Sequence, residues 1–115
     1  FWATWCNPCI AELPYLDSID KMFSEQDVEV IAVSIDEARH ASRVKSYVKS
    51  RKYGFTVLHD KSTEIVPQYN PSMTIPYTVV IDRKGNIVYT HSGYSPGDEH
   101  IYINLIKDML KNEAR

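Results

Sequence analysis

Cys6 and Cys9 are the only cysteines in this 115-residue chain, with two residues between them in Cys6-Asn7-Pro8-Cys9. Thiols at that spacing can close a small ring, so the pair could alternate between dithiol and disulfide. Apolar residues follow at helical intervals: Ile10, Leu13, Leu16, Ile19, Met22 and Phe23 predict an amphipathic helix from Cys6 to about Phe23, kinked at Pro14. That helix places Cys6 in its first turn, against unpaired backbone amides and the positive end of the macrodipole, where a thiolate is stabilised. Such placement lowers a cysteine's pKa from about 8.5 to roughly 3.5–7.5. Cys9, one turn further in, should be shielded and less ionised. Cys6 is therefore the expected attacker, and Cys9 the resolver that breaks a mixed disulfide from within the same chain. Pro8 fixes φ in the first helical turn and stiffens the ring.

Two plainer readings of the pair stay open. A zinc site needs four ligands, and His40, His59, His91 and His100 show no ligand-like spacing, so no metal site is expected. Free cysteines are also commonly buried as small hydrophobes. Neither reading explains why the aromatic run Phe1-Trp2-Ala3-Thr4-Trp5 leads straight into the pair, with a proline inside it and a helix starting on it.

The elements that must position these thiols follow from periodicity. Phe1–Trp5 reads as the end of a strand, and Val28–Ile35, nearly continuous in β-branched residues, as a strand buried on both faces. Glu37–Tyr53 carries Ala41, Val44, Tyr47 and Val48 on one side and Lys and Arg on the other, with Gly54 as its stop, which predicts a second helix. A short strand at Phe55–Leu58 and a brief helix from a Ser62 cap to Tyr69 come next. Tyr77–Ile81 and Ile87–His91, separated by Asp82-Arg83-Lys84-Gly85-Asn86, predict an antiparallel hairpin. A last helix opens at Asp98 and Glu99 and carries Ile101, Leu105, Ile106, Met109 and Leu110. The order β-α-β-α-β-α-β-β-α implies a mixed sheet with helices on both faces. No repeat, low-complexity stretch or linker divides the chain, so one domain over residues 1–115 is expected.

At 13.3 kDa, with 43% apolar and 24% charged residues, the composition is that of a folded globular domain. Two cysteines are too few for a disulfide-dense scaffold. A net charge of −2 disfavours nucleic-acid or anionic-membrane surfaces. No apolar run approaches a bilayer span. The chain opens on Phe1 without an initiator Met, basic segment or apolar segment, so the expectation is an N-terminally cut piece whose first strand is truncated. Any membrane tether would lie ahead of Phe1.

Phe1-Trp2-Ala3-Thr4-Trp5-Cys6-Asn7-Pro8-Cys9, followed by Ala11-Glu12-Leu13-Pro14, resembles the active-site segment of the thioredoxin superfamily, and within it the TlpA/ResA-like thiol-disulfide oxidoreductases. Thr74-Ile75-Pro76-Tyr77-Thr78-Val79-Val80-Ile81-Asp82 is similar to the family's cis-proline strand, and Lys84-Gly85-Asn86-Ile87-Val88 to the hairpin after it. The resemblance implies a thioredoxin-like three-layer α/β/α fold around a mixed central sheet. It implies a cis Ile75–Pro76 bond, with Ile75 and Pro76 forming a platform for an extended substrate segment beside the cysteines and Trp5. A trans bond at an ordinary strand start is the alternative for Pro76. Gly93 resembles the family's glycine at the active-site rim, with a plain turn residue as its alternative. Glu37, in Ser34-Ile35-Asp36-Glu37, stands where ResA-like proteins carry an acid near the cysteines and is expected either to move the resolving thiol's proton or to face water at a helix N-terminus. The acid that thioredoxins bury on the first strand would precede Phe1.

The expected function is thiol-disulfide exchange through the dithiol, as an extracytoplasmic (periplasmic) reductant or electron relay needing no cofactor, with protein thiols or disulfides as substrates and a separate redox partner. A peroxiredoxin-like peroxidase is one alternative, although that pattern places Thr or Ser three residues before its cysteine, where this chain has Ala3. A non-enzymatic module holding a soft ion such as Cu(I) on the pair is another, and no Met or His adjoins it.

Overall fold

The computed structural model describes residues 1–113. Helix α1 (Asn7–Met22) takes Cys6 as its N-cap and runs unbroken through Pro14. Its inward face buries Cys9, Leu13 and Ile19, together with the carboxylates Glu12 and Asp17. Asp17 is neutralised from two sides, accepting from the Gly54 N–H at 2.8 Å and pairing with Lys21 at 2.8 Å.

Strand β1 (Ile31–Ser34) pairs in parallel with β2 (Thr56–His59), Ile31 lying opposite Thr56. Strands β3 (Tyr77–Ile81) and β4 (Ile87–Ser92) form the antiparallel hairpin that the turn residues predict, with Tyr77 opposite Ser92 and an irregularity at Val80/Ile81. Asp82 closes the turn by accepting from the N–H groups of Lys84 and Asn86, each at 2.9 Å, and Gly85 supplies a φ of 85°.

The strand expected over Phe1–Trp5 is reduced to its first two residues. Trp2 bridges Ser34 in parallel, its N–H donating to the Val33 carbonyl at 3.0 Å and its carbonyl accepting from Ile35 at 2.9 Å. On the other side the Phe1 amino group donates to the Tyr77 carbonyl at 2.7 Å and the Tyr77 N–H returns to the Phe1 carbonyl at 3.3 Å. Phe1 and Trp2 thus join the two strand pairs in the order β2, β1, Phe1–Trp2, β3, β4, parallel on one side and antiparallel on the other. Thr4 and Trp5 leave the ladder because Asp36 captures Thr4, while the Cys6 N–H bonds back to the Ala3 carbonyl at 3.1 Å. Between β1 and β3, beyond this junction, lies a cleft of about 480 Å³ lined by apolar residues including Leu13, Val30, Ala32 and Val79.

Helix boundaries depart from expectation where a capping group was misassigned. The second helix is a 3₁₀ turn (Ala38–His40) followed by α2 (Ala41–Arg51), and it stops at Lys52, which takes the left-handed conformation at φ 57° ahead of Gly54. Helix α3 (Val66–Tyr69) is capped by Asp60 rather than Ser62: the buried Asp60 carboxylate accepts from the N–H groups of Glu64, Ile65 and Val66 at 3.1, 3.0 and 2.8 Å. Helix α4 (Glu99–Glu113) packs against α1. One core cluster gathers Trp2, Ala3, Cys6, Cys9, Leu13, Ala32, Val44 and Phe55; a second gathers Ile19, Phe23 and Tyr102. The cysteines therefore sit on packed scaffold, not on a loose loop.

Candidate functional site

Cys6 and Cys9 are joined as a disulfide across 5.2 Å between their Cα atoms, within the span such bonds require. The Cys6 sulfur also accepts from the Cys9 N–H at 3.3 Å. That contact comes from the helix itself, because an N-cap side chain faces the orphan amides of the first turn. When the bond is reduced, the same amide and the helix dipole are aligned to stabilise negative charge on Cys6. Cys9 is the more deeply buried of the two, at 1% exposure against 6%. The ordering of accessibility agrees with Cys6 as the reachable sulfur.

Around this pair the chain brings in residues from distant positions. Ile75 packs against the cluster holding both cysteines, and Pro76, after a cis peptide bond, is buried beside it. The loop leading there is clasped by the fully buried Asn70, whose amide donates to the Thr74 carbonyl at 2.5 Å. Gly93, at φ 81°, donates its N–H to the Pro76 carbonyl at 2.7 Å, tying the end of β4 to the proline. Trp5 is 62% exposed at the rim. Ile75 thus packs on the cluster that holds both cysteines, and Gly93 is tied to the proline that follows it.

Glu37 does not join them. Its carboxylate is on the surface, bonded to the Arg39 guanidinium at 2.7 Å, and that bond holds it below the ordinary glutamate range. The water-facing alternative describes its position. The reason is local: Asp36, not Glu37, turns inward after β1. Asp36 is fully buried and accepts from the Thr4 N–H at 3.0 Å, the Thr4 hydroxyl at 2.5 Å and the Ser34 hydroxyl at 2.6 Å. Burial pushes its carboxyl up, but the hydrogen bonds from Ser34 and Thr4 outweigh that and hold it low. Asp36 thereby fixes the turn that delivers Cys6 to the helix.

The buried acid near the thiols is Glu12, which sequence reasoning quoted within the motif but gave no role. It follows Cys9 by three residues, on the same helix face, and is 4% exposed. Burial raises its carboxyl pKa from 4.5 to about 7. Its Oε2 is buried without a hydrogen-bond partner. A carboxyl poised near neutrality can take or give a proton at physiological pH. The signal was present in the periodicity, since a charged residue on the apolar stripe of α1 is anomalous, but identical patterns arise from half-exposed stripe edges.

Known proteins resemble this chain in sequence and in fold. Over 108 residues the chain is 36% identical to the thiol-disulfide oxidoreductase ResA of Bacillus subtilis (strain 168), covering 93% of this chain and 59% of that one. The chain spans about half to three-fifths of the length of the curated relatives it matches. The solution structure of a thioredoxin-like protein from Porphyromonas gingivalis superposes with a TM-score of 0.80 at 35% identity, covering 96% of this chain and 72% of that one. The crystal structure of StoA from Bacillus subtilis superposes with a TM-score of 0.72 at 26% identity, covering 87% and 75% respectively. The fold is thus thioredoxin-like, with helices and a mixed sheet. Since the Redoxin family model matches residues 1–106, nearly the whole chain, this protein belongs to the Redoxin family.

Proposed function

We propose that this chain is a thiol-disulfide oxidoreductase in which Cys6 attacks, Cys9 resolves and Glu12 handles the proton. The observation that carries this reading is the Cys6–Cys9 disulfide at the N-terminus of α1, with the Cys6 sulfur facing a helix amide. Starting from the dithiol, the Cys6 thiolate attacks one sulfur of a substrate disulfide; a mixed disulfide forms and the first substrate sulfur leaves as thiolate. Cys9 then loses its proton to the Glu12 carboxylate and attacks the Cys6 sulfur. The Cys6–Cys9 bond forms, the second substrate sulfur leaves and takes up a proton, and two electrons have passed from the chain to the substrate.

Ile75, Pro76 and Gly93 form the platform for an extended substrate segment in this reading, with Trp5 at its edge. Protein disulfides are the substrates, a separate dithiol donor restores the reduced form, and the reaction takes place outside the cytoplasm. The resemblance to TlpA/ResA-like proteins supports the location. Among the described residues no helix is long and apolar enough to cross a membrane. The peroxidase reading loses ground at Ala3, which is completely buried and offers no hydroxyl to Cys6.

Reduction of a disulfide-bonded protein by a dithiol donor tests the proposal. Catalytic amounts of the wild-type chain should accelerate it, and Cys6→Ser should not. Equal rates with and without the chain, across several protein disulfides, would overturn it.

A further inference from the structure

From Ala38 to His59 the chain carries six Lys or Arg and no Asp or Glu, although it holds fifteen acids against thirteen bases in all. Two of the six are engaged: the Arg39 guanidinium pairs with Glu37 at 2.7 Å, and the Arg51 guanidinium lies 3.9 Å over the Tyr47 ring. Lys45, Lys49 and Lys52 recur at intervals of four and three, which sets them on one side of α2 and its cap. None of these lysines makes an ion pair among the described residues. They line a groove of about 710 Å³ between α2 and β2, and Lys61, just past the end of β2, lines the same groove.

The floor of the groove is apolar: Val44 is buried, and Val48 and Val57 pack against the core cluster that contains it. No acidic residue among the described ones lines it, and the neighbouring Asp60 is buried with its carboxylate committed to three amides at the start of α3. Strand β2 is also the outer strand on this side of the sheet, with β1 as its one partner among the described residues. The Thr56 N–H donates to the Val30 carbonyl at 3.1 Å and the Asp60 N–H to the Ser34 carbonyl at 2.9 Å. The alternation of a parallel ladder therefore turns Thr56, Leu58 and Asp60 toward β1, and leaves the backbone groups of Val57 and His59 on the open edge. The His59 ring, with Nε2 2.6 Å from the Asp36 carbonyl, anchors that end of the strand.

An apolar floor takes hydrophobic side chains, a rim of uncommitted ammonium groups takes carboxylates, and an open strand edge takes backbone hydrogen bonds; an acidic peptide strand is the ligand that uses all three. A concave groove also suits a chain segment better than a bilayer, which binds helices that lie flat in its interface. We propose that the groove between α2 and β2 docks an extended acidic segment of a protein partner, which adds to the β2 edge with its apolar side chains on the valine floor and its carboxylates on Lys45, Lys49, Lys52 and Lys61. The groove shares no residue with the cysteine site, so this inference stands apart from the roles given to Cys6 and Cys9.

Fluorescence anisotropy of a labelled short peptide of alternating Val and Glu, titrated with the whole chain, tests this. The acidic peptide should bind, bind more weakly as salt is added, and slow amide exchange at Val57 and His59. A matched peptide of alternating Val and Lys should not bind. Lys45→Glu combined with Lys49→Glu should weaken binding of the acidic peptide by about tenfold or more and admit the basic one. If charge reversal costs the protein its fold, Lys45→Gln with Lys49→Gln decides by the same measure, with a smaller loss expected. No binding of the acidic peptide overturns the proposal and leaves the lysines as guards of an edge strand against self-association. Binding that the lysine variants do not weaken, or that protects amides elsewhere than on this edge, overturns it too. So does capture by phosphatidylglycerol vesicles without binding of the peptide, which would make the groove a headgroup site.

Discussion

At the scale of single residues, the site depends on carboxylates treated in opposite ways by their surroundings. Glu12 is buried with its Oε2 unpartnered, and burial raises its pKa to about 7, so the folded state binds a proton that the unfolded state releases near 4.5. The sign follows: Glu12 costs nothing below its unfolded pKa and progressively destabilises the fold as pH rises toward and through 7. Glu12→Gln should therefore stabilise the protein at pH 8 by on the order of 3 kcal/mol and leave it nearly unchanged at pH 4, as denaturant titrations at both pH values would show. Asp36 is the reverse case, buried among three donors that favour its charged form. Its contribution is present above the unfolded aspartate pKa and is lost as pH falls through the lower folded value. Asp36→Ala should cost about 1–3 kcal/mol at neutral pH by leaving the Thr4 and Ser34 donors unmatched. Little of this was legible beforehand. The cysteine pair announces itself because its chemistry depends on residues three apart, whereas Asp36 owes its importance to Thr4, thirty-two positions away. The family resemblance points to Glu37 instead, one residue from the side chain that turns inward.

Elements were legible where their signals are periodic and misjudged where their ends depend on a distant acceptor or an unusual dihedral. The stripe of α1 and the turn residues of the β3–β4 hairpin specify those elements almost without help. The stop of α2 at Lys52 and the cap of α3 by Asp60 do not follow from preference, since Gly54 and Ser62 are the better formers of such ends. Gly54 is needed elsewhere, with its N–H bonded to Asp17. Asp60 serves three amides at once, so Asp60→Ala should destabilise by about 2 kcal/mol and speed amide exchange at Glu64, Ile65 and Val66 before it affects α1. Gly93 ties β4 to the loop at Pro76 from a left-handed conformation with open space around its Cα, so the penalty for Gly93→Ala is conformational rather than steric. A loss of about 1–2 kcal/mol in denaturant unfolding is expected there.

For the molecule as a whole, the order β2, β1, Phe1–Trp2, β3, β4 makes two residues the junction of the sheet. Trp2 also fills the main core, 3% exposed and with its ring 6.0 Å from that of Tyr47. Trp2→Ala should cost about 3–5 kcal/mol and unlink the parallel pair from the hairpin that carries Pro76, seen as a lower denaturant slope as well as a lower midpoint. This long-range assembly was foreseen only through the family resemblance; periodicity predicts strands but not which of them a two-residue segment will join. The molecule's central property is the unequal partnership of two sulfurs on one helix, and trapping measures it most directly. After incubation with a disulfide-bearing protein and separation on non-reducing gels, Cys9→Ser should accumulate a mixed disulfide through Cys6, because no second thiol remains to resolve it, while Cys6→Ser should trap far less. More adduct with Cys6→Ser would reverse the assignment of attacker and resolver, and no adduct with either variant would contradict thiol-disulfide exchange by this chain.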